Sequence, residues 1–201
     1  MAEKKLLREW YPMEYDFKVL KEARAKAGAG PIVLRGIIQK AGVKNQNGRI
    51  YPEQVLKREM ENYEKAIRER RAVGELDHPE RSTVNFKEAS HLITRAWWEG
   101  PDVMGEIEVL GTPNGKILES LLESGVRIGI SSRGVGSTDK TDEGVDMVND
   151  DFQVICYDIV SEPSTPGAYL FREGKSIDFS ARKTFTRADR IYRALNEIVR
   201  K

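Results

Sequence analysis

Two short stretches of the chain carry residues whose types and spacing suit nucleophilic chemistry. Gly-Glu-Leu-Asp-His-Pro at residues 74–79 presents His78, and Gly-Ile-Ser-Ser-Arg-Gly-Val-Gly at residues 129–136 presents Ser131 and Ser132. A serine hydroxyl is a poor nucleophile at neutral pH, so it needs a base to take its proton and donors to hold the oxyanion that forms. The chain contains only two histidines, so the candidate bases are few. Pro79 biases His78 towards an extended backbone and so limits where its imidazole points. His91 lies in an apolar, strand-like run and reads as structural. Alternation along a strand sends Ser131 and Ser132 to opposite faces, so only one of them readily meets the base. Gly129, Gly134 and Gly136 let the backbone approach a substrate closely. The N–H groups around Ser132, Arg133 and Gly134 are then candidate oxyanion donors, with Arg133 adding positive charge. A third group must orient the imidazole. Asp158, within Val154-Ile-Cys-Tyr-Asp-Ile-Val, stands out because an ionised carboxylate in apolar company needs a partner. Glu75 and Asp77 are nearer to His78 in sequence, but neighbours in an extended segment point apart, so they rank lower. Taken alone, residues 129–136 also read as an ordinary strand-to-loop junction.

The elements that must position these groups are mostly strands. At 201 residues the chain fits one well-cored domain, since domains run to about 100–200 residues. Residues 1–30 read as an N-terminal lead-in closing in Ala-Gly-Ala-Gly-Pro, 31–185 as the main domain, and 186–201 as a terminal amphipathic helix. Strands are predicted over 32–39, 91–98, 103–110, 128–133 and 152–160. Helices are predicted over 53–70, opened by Tyr51-Pro52, and over 116–124, ended by Gly125. A glycine-rich turn is expected after Arg133, a polar loop over 138–150, and irregular chain over 161–185. Strands outnumber helices and hairpins outnumber crossovers, which predicts an α+β domain: an antiparallel sheet or small β-barrel flanked by helices.

Composition narrows the function classes. Lys plus Arg is 33 against 32 for Asp plus Glu, a net charge of +1, which removes the bulk electrostatic argument for nucleic-acid or membrane partners. The single Cys156 cannot form an internal disulfide, and no Cys/His cluster has zinc spacing, so neither metal nor cofactor is expected. No apolar run approaches the roughly 20 residues that cross a bilayer, and the N-terminus lacks a signal-peptide pattern; a soluble intracellular protein is expected.

Gly-Glu-Leu-Asp-His-Pro, then Trp97-Trp98, then Gly-Ile-Ser-Ser-Arg-Gly-Val-Gly-Ser, together resemble the prohead core serine proteases of tailed phages, the T-even type in particular. Asn45-Gln-Asn-Gly-Arg-Ile-Tyr-Pro matches a further element of that family, and the resemblance runs from about residue 37 to 168 in the family's order. It implies a capsid maturation protease with an assemblin-like fold, related to herpesvirus assemblin. Such a protease is packed in the prohead within the host cytoplasm, where it cleaves scaffold or core proteins, the major capsid protein and finally itself. A homo-oligomer is expected. By position, His78 matches the family's base and Ser131 its nucleophile. Asp158 falls where the family places an acid; herpesvirus relatives use a second histidine there, and here no histidine follows Ser131. The resemblance also implies cleavage after Glu in a hydrophobic-any-Glu context. Leu7-Arg-Glu9 and Leu195-Asn-Glu197 fit it near the two ends, so self-trimming after Glu9 and Glu197 is expected. Ile117-Leu-Glu119 and Leu121-Leu-Glu123 fit too, but a folded helix should protect them. The rival reading is a non-catalytic capsid or tail-tube assembly protein of the same fold.

Overall fold

The computed structural model describes residues 5–8, 11–13, 30–126, 128–161 and 170–171. Along the chain these form β1 (Lys5–Arg8), β2 (Tyr11–Met13), β3 (Val33–Lys40), β4 (Arg49–Ile50), α1 (Glu53–Arg68), β5 (Val73–Glu75) and a 3₁₀ turn (Phe86–Glu88). There follow β6 (Ala89–Glu99), β7 (Asp102–Val109), α2 (Pro113–Glu123), β8 (Ile128–Gly136), β9 (Thr138–Lys140), β10 (Asp146–Val148), β11 (Gln153–Val160) and β12 (Leu170–Phe171). Three mostly antiparallel sheets result. One has the order β12-β3-β7-β6-β5, the second has β1-β8-β11 with β2 also on β8, and the third is the small β4-β10-β9. A parallel bridge from Leu76 to Ile159 joins the end of β5 to β11, bringing the first two sheets together.

Alternation accounts for β7, whereas β6, β8 and β11 carry continuous buried runs. Along β7 every second residue is buried, with Val103 and Ile107 fully so, as a half-buried strand requires. The amphipathic helix α1 buries Val55, Leu56, Met60 and Tyr63 at three- and four-residue spacing. Helix α2 begins three residues before its predicted start because the Thr112 hydroxyl accepts the Gly115 N–H and Pro113 occupies the first turn. Glu119 and Glu123 therefore both lie in a formed helix.

Several expectations give way. The expected turn after Arg133 is strand, because β8 continues to Gly136 with partners on both edges. A Cβ on Gly134 would stand 2.4 Å from the Phe152 ring, so glycine here serves close packing rather than a turn. The polar loop over 138–150 folds into the β9–β10 hairpin. Within the stretch read as an N-terminal lead-in, β1 and β2 both join the sheet that carries the serines. β12 lies within the stretch read as irregular, pairing with β3. The predicted terminal helix lies outside the described residues. Among the described residues no helix is long and apolar enough to cross a membrane.

Candidate active site

The site is assembled on β8, β11 and the chain that leaves β5. Asp158 stands opposite Ser131, and this depends on a bulge: the β8–β11 register shifts between Val154 and Cys156. Without that one-residue slip Asp158 would face Ile130, on the other side of the sheet, since a single step of register exchanges the two faces. Beside the bulge, the buried Glu59 of α1 accepts the Val154 N–H at 2.9 Å, which fixes the strand where it shifts. Ser131, Arg133, Cys156 and Asp158 consequently share one face, while Ser132 and Tyr157 share the other.

His78 is delivered to that face by backbone. The Asp77 N–H donates to the Ile159 carbonyl at 2.7 Å, and Asp77 takes a left-handed conformation with φ of 69°. Its carboxylate accepts the His78 N–H at 3.0 Å, closing the bend that aims the imidazole. His78 Nδ1–H donates to Asp158 Oδ2 at 2.8 Å, which leaves Nε2 to accept the Ser131 hydroxyl. The relay is enclosed. Ser131 and Asp158 have no exposed surface, and the His78 side chain has 2%.

Asp158 is held ionised by several donors. Burial pushes its pKa up, but the His78 bond and the Arg133 guanidinium outweigh burial and hold the carboxyl below its ordinary value. Arg133 Nη2 donates to Oδ1 at 3.2 Å, and its Nε lies 2.9 Å from Oδ2. The Glu75 N–H donates to Oδ1 at 3.1 Å and the Cys156 thiol does so at 3.3 Å. Behind Arg133 sits a second carboxylate. Glu75, 1% exposed, lies 3.3 Å from Arg133 Nη2, accepts the Asn85 N–H at 2.6 Å and pairs with Arg81.

Of the residues singled out by sequence, the structure brings together Ser131, His78 and Asp158. Ser132 is turned to the opposite face, its hydroxyl buried without a hydrogen-bond partner among the described residues. The guanidinium of Arg133 is not where an oxyanion donor is expected: it is fully buried against Asp158 and Glu75 and donates to the Arg81 carbonyl at 2.8 Å. Gly134 pairs with Leu7 on one edge and Val154 on the other. His91 is also buried, between the Ser90 hydroxyl and the Tyr157 carbonyl, as its structural reading expects. Sequence reasoning ranked Glu75 low as an orienter for His78; its partnership with Arg133 had no local signal beyond an acid beside a glycine. Glu9 and Glu197 lie outside the described residues, and no cluster that could hold a metal occurs among the described ones.

A hydroxyl, imidazole and carboxylate in line form an arrangement able to run acyl transfer, the chemistry of peptide hydrolysis. The chain belongs to the family described as prohead core protein serine protease, which matches residues 13–178. It is 33% identical over 174 residues to the prohead core protein protease of Enterobacteria phage T4, covering 85% of this chain and 82% of that one. Its fold is similar to the solved structure of the bacteriophage T4 capsid assembly protease, gp21, with a TM-score of 0.68 and 29% identity over 80% of this chain and 99% of the other.

Proposed function

We propose that this protease is a serine endopeptidase of phage capsid maturation, working inside the prohead on scaffold and shell proteins. In this reading Ser131 attacks the peptide carbonyl, His78 takes its proton and returns it to the leaving amine, and Asp158 holds the Nδ1–H tautomer and stabilises the imidazolium. Water then hydrolyses the acyl-enzyme. Backbone N–H groups near Ser132 are the proposed oxyanion donors. The Asp158–His78–Ser131 hydrogen-bond chain is the single observation that carries the reading. Incubation with a prohead scaffold protein tests it: parent and Ser132→Ala should cleave and Ser131→Ala should not. Equal cleavage by Ser131→Ala would reject the assignment.

Cleavage after Glu and self-trimming belong to the same proposal. β1 and β2 share one antiparallel register on β8: Arg8 pairs with Arg133 and Tyr11 with Ile130. The two β8 positions between those pairs are Ser132 and Ser131. Leu7, two residues before Glu9, is 2% exposed within an apolar cluster that includes Tyr51, Val55, Leu56 and Phe152. Such apolar surroundings suit the hydrophobic member of a hydrophobic-any-Glu sequence. Mass spectrometry of the active protein should find new termini after Glu9 and Glu197; intact ends beside cleaved substrate would exclude self-trimming.

A further inference from the structure

The Asn-rich element at residues 45–49 has no part in the relay, yet it reaches the strand that lies along β8. Asn47 Nδ2 donates to the Arg8 carbonyl at 2.8 Å, and Arg49 Nη1 donates to the same oxygen at 3.3 Å. Arg8 is the β1 residue paired with Arg133, two β8 positions from Ser131. Both donors therefore converge on a main-chain carbonyl at the edge of the candidate active site. They read no side chain, so they would serve any extended polypeptide laid in that register, the manner in which strand addition recognises peptides.

The element is built to hold that geometry. Asn45, 7% exposed, accepts the N–H groups of Asn47 and Arg49 on its Oδ1, both at 3.0 Å. Its own N–H donates to the Arg49 carbonyl at 2.9 Å and its carbonyl accepts the Gly48 N–H at 3.1 Å. Gly48 has φ of 79°, a conformation that side chains rarely adopt. β4 pairs with β10, and the Asp146 N–H donates to the Gly48 carbonyl at 3.1 Å, anchoring the element to the third sheet.

We infer that Asn47 and Arg49 are substrate-binding residues of this protease: together they clamp a backbone carbonyl of an extended peptide paired with β8, in the place that the Arg8 carbonyl takes here. Asn45 is the positioning residue that sets the clamp. The inference rests on the Ser131 reading of the site. An interaction present in both bound substrate and transition state acts on KM, whereas loss of a relay residue acts on kcat.

The test uses the full chain and a synthetic peptide copying residues 3–14, alone and with a thioamide replacing the Arg8 amide, a weaker and larger acceptor that keeps the planar backbone. Asn47→Ala should raise KM by about 3- to 10-fold and Arg49→Ala by about 10-fold, with kcat within about twofold. The thioamide should raise KM for the parent and have no further effect on the double variant. An unchanged KM, or a thioamide penalty that persists in the double variant, would overturn the clamp while leaving the Ser131 reading intact. Equal cleavage by Ser131→Ala would overturn that reading and the clamp with it. A second measurement does not depend on turnover: in a Ser131→Ala background, the double variant should speed hydrogen exchange of the Leu6–Arg8 amides by about 10-fold or more, with β6 and β7 unchanged. Unaltered exchange there would also refute the clamp.

Discussion

The two histidines occupy neighbouring parts of the fold and touch the same strand, yet their surroundings make them different chemical groups. His78 meets the Asp158 side chain, with Arg133 and then Glu75 behind it. His91 meets the carbonyl of the preceding residue, Tyr157, at 2.9 Å, and a neutral serine hydroxyl. A Cβ on Gly74 would stand 2.2 Å from His91 Nε2 and 2.0 Å from the Tyr157 carbonyl oxygen, so the absence of a side chain there permits this close contact. Burial without an adjacent anion pushes the pKa of His91 down to about 4, since Asp158 and the Tyr157 carbonyl only partly offset it. Burial therefore does not make an imidazole a base. A fixed anion beside one nitrogen and a hydroxyl beside the other are needed, and only His78 has both.

The largest effects should come from breaking the relay. Ser131→Ala should lower the rate of peptide cleavage by about 10⁴-fold or more, and Asp158→Asn, which permits the wrong tautomer of His78, by about 10³- to 10⁴-fold. His91→Gln should leave kcat within a few-fold of the parent. Steady-state kinetics on one peptide compares all three, and a His91→Gln loss as large as that of Asp158→Asn would erase the distinction between the histidines.

Next comes the charge balance behind Asp158. Arg133→Met leaves two buried carboxylates without the cation between them and should destabilise the fold by about 3–5 kcal/mol in urea titrations at neutral pH. Loss of that cation also raises the pKa of Asp158, so residual activity should fall off at higher pH than in the parent. A stable variant with an unshifted acid limb would show that the guanidinium does not hold the carboxylate ionised.

The pH dependence of stability sharpens the comparison further. The folded value of His91 lies below the unfolded value of 6.5, so as pH falls the unfolded chain binds the proton first. Stability should decline between pH 6.5 and about 4, by about 3 kcal/mol in total, and His91→Gln should flatten that window. The Asp158 contribution has the usual carboxylate sign: it is present above the unfolded value and lost as pH falls through the depressed folded value, so it declines in a lower window. Urea midpoints measured across this range separate the two. The smallest change belongs to Ser132→Ala, which removes a buried hydroxyl that has no hydrogen-bond partner among the described residues and should alter stability by no more than about 0.5 kcal/mol.

Much of this was legible in the residue order. The period-two pattern of β7, the apolar runs of β6 and β11 and the helical period of α1 are local properties, so the residue order predicted the antiparallel α+β character. A base, a pair of hydroxyls and an isolated acid are chemically conspicuous, but the choice of Ser131 over Ser132 came from the resemblance to the prohead core proteases and not from the residues alone. Short strands were missed where pattern is too brief to register: β4, β5 and β12 span two or three residues and exist only because a partner strand lies beside them. The misreading of Gly134-Val-Gly as a turn has the same origin, since Phe152 packed on Gly134 is a contact between distant residues.

The amino-acid order by itself determined which groups were available and which stretches alternate, because types and local periodicity are written one residue at a time. Which face each group occupies was decided only in three dimensions. The bulge at residue 155 puts Asp158 on the side of Ser131, and the same pairing commits Arg133 to the carboxylates and turns Ser132 away. Register is a relation between two strands, and a one-residue change in it exchanges faces along the whole strand, so no single segment contains that information.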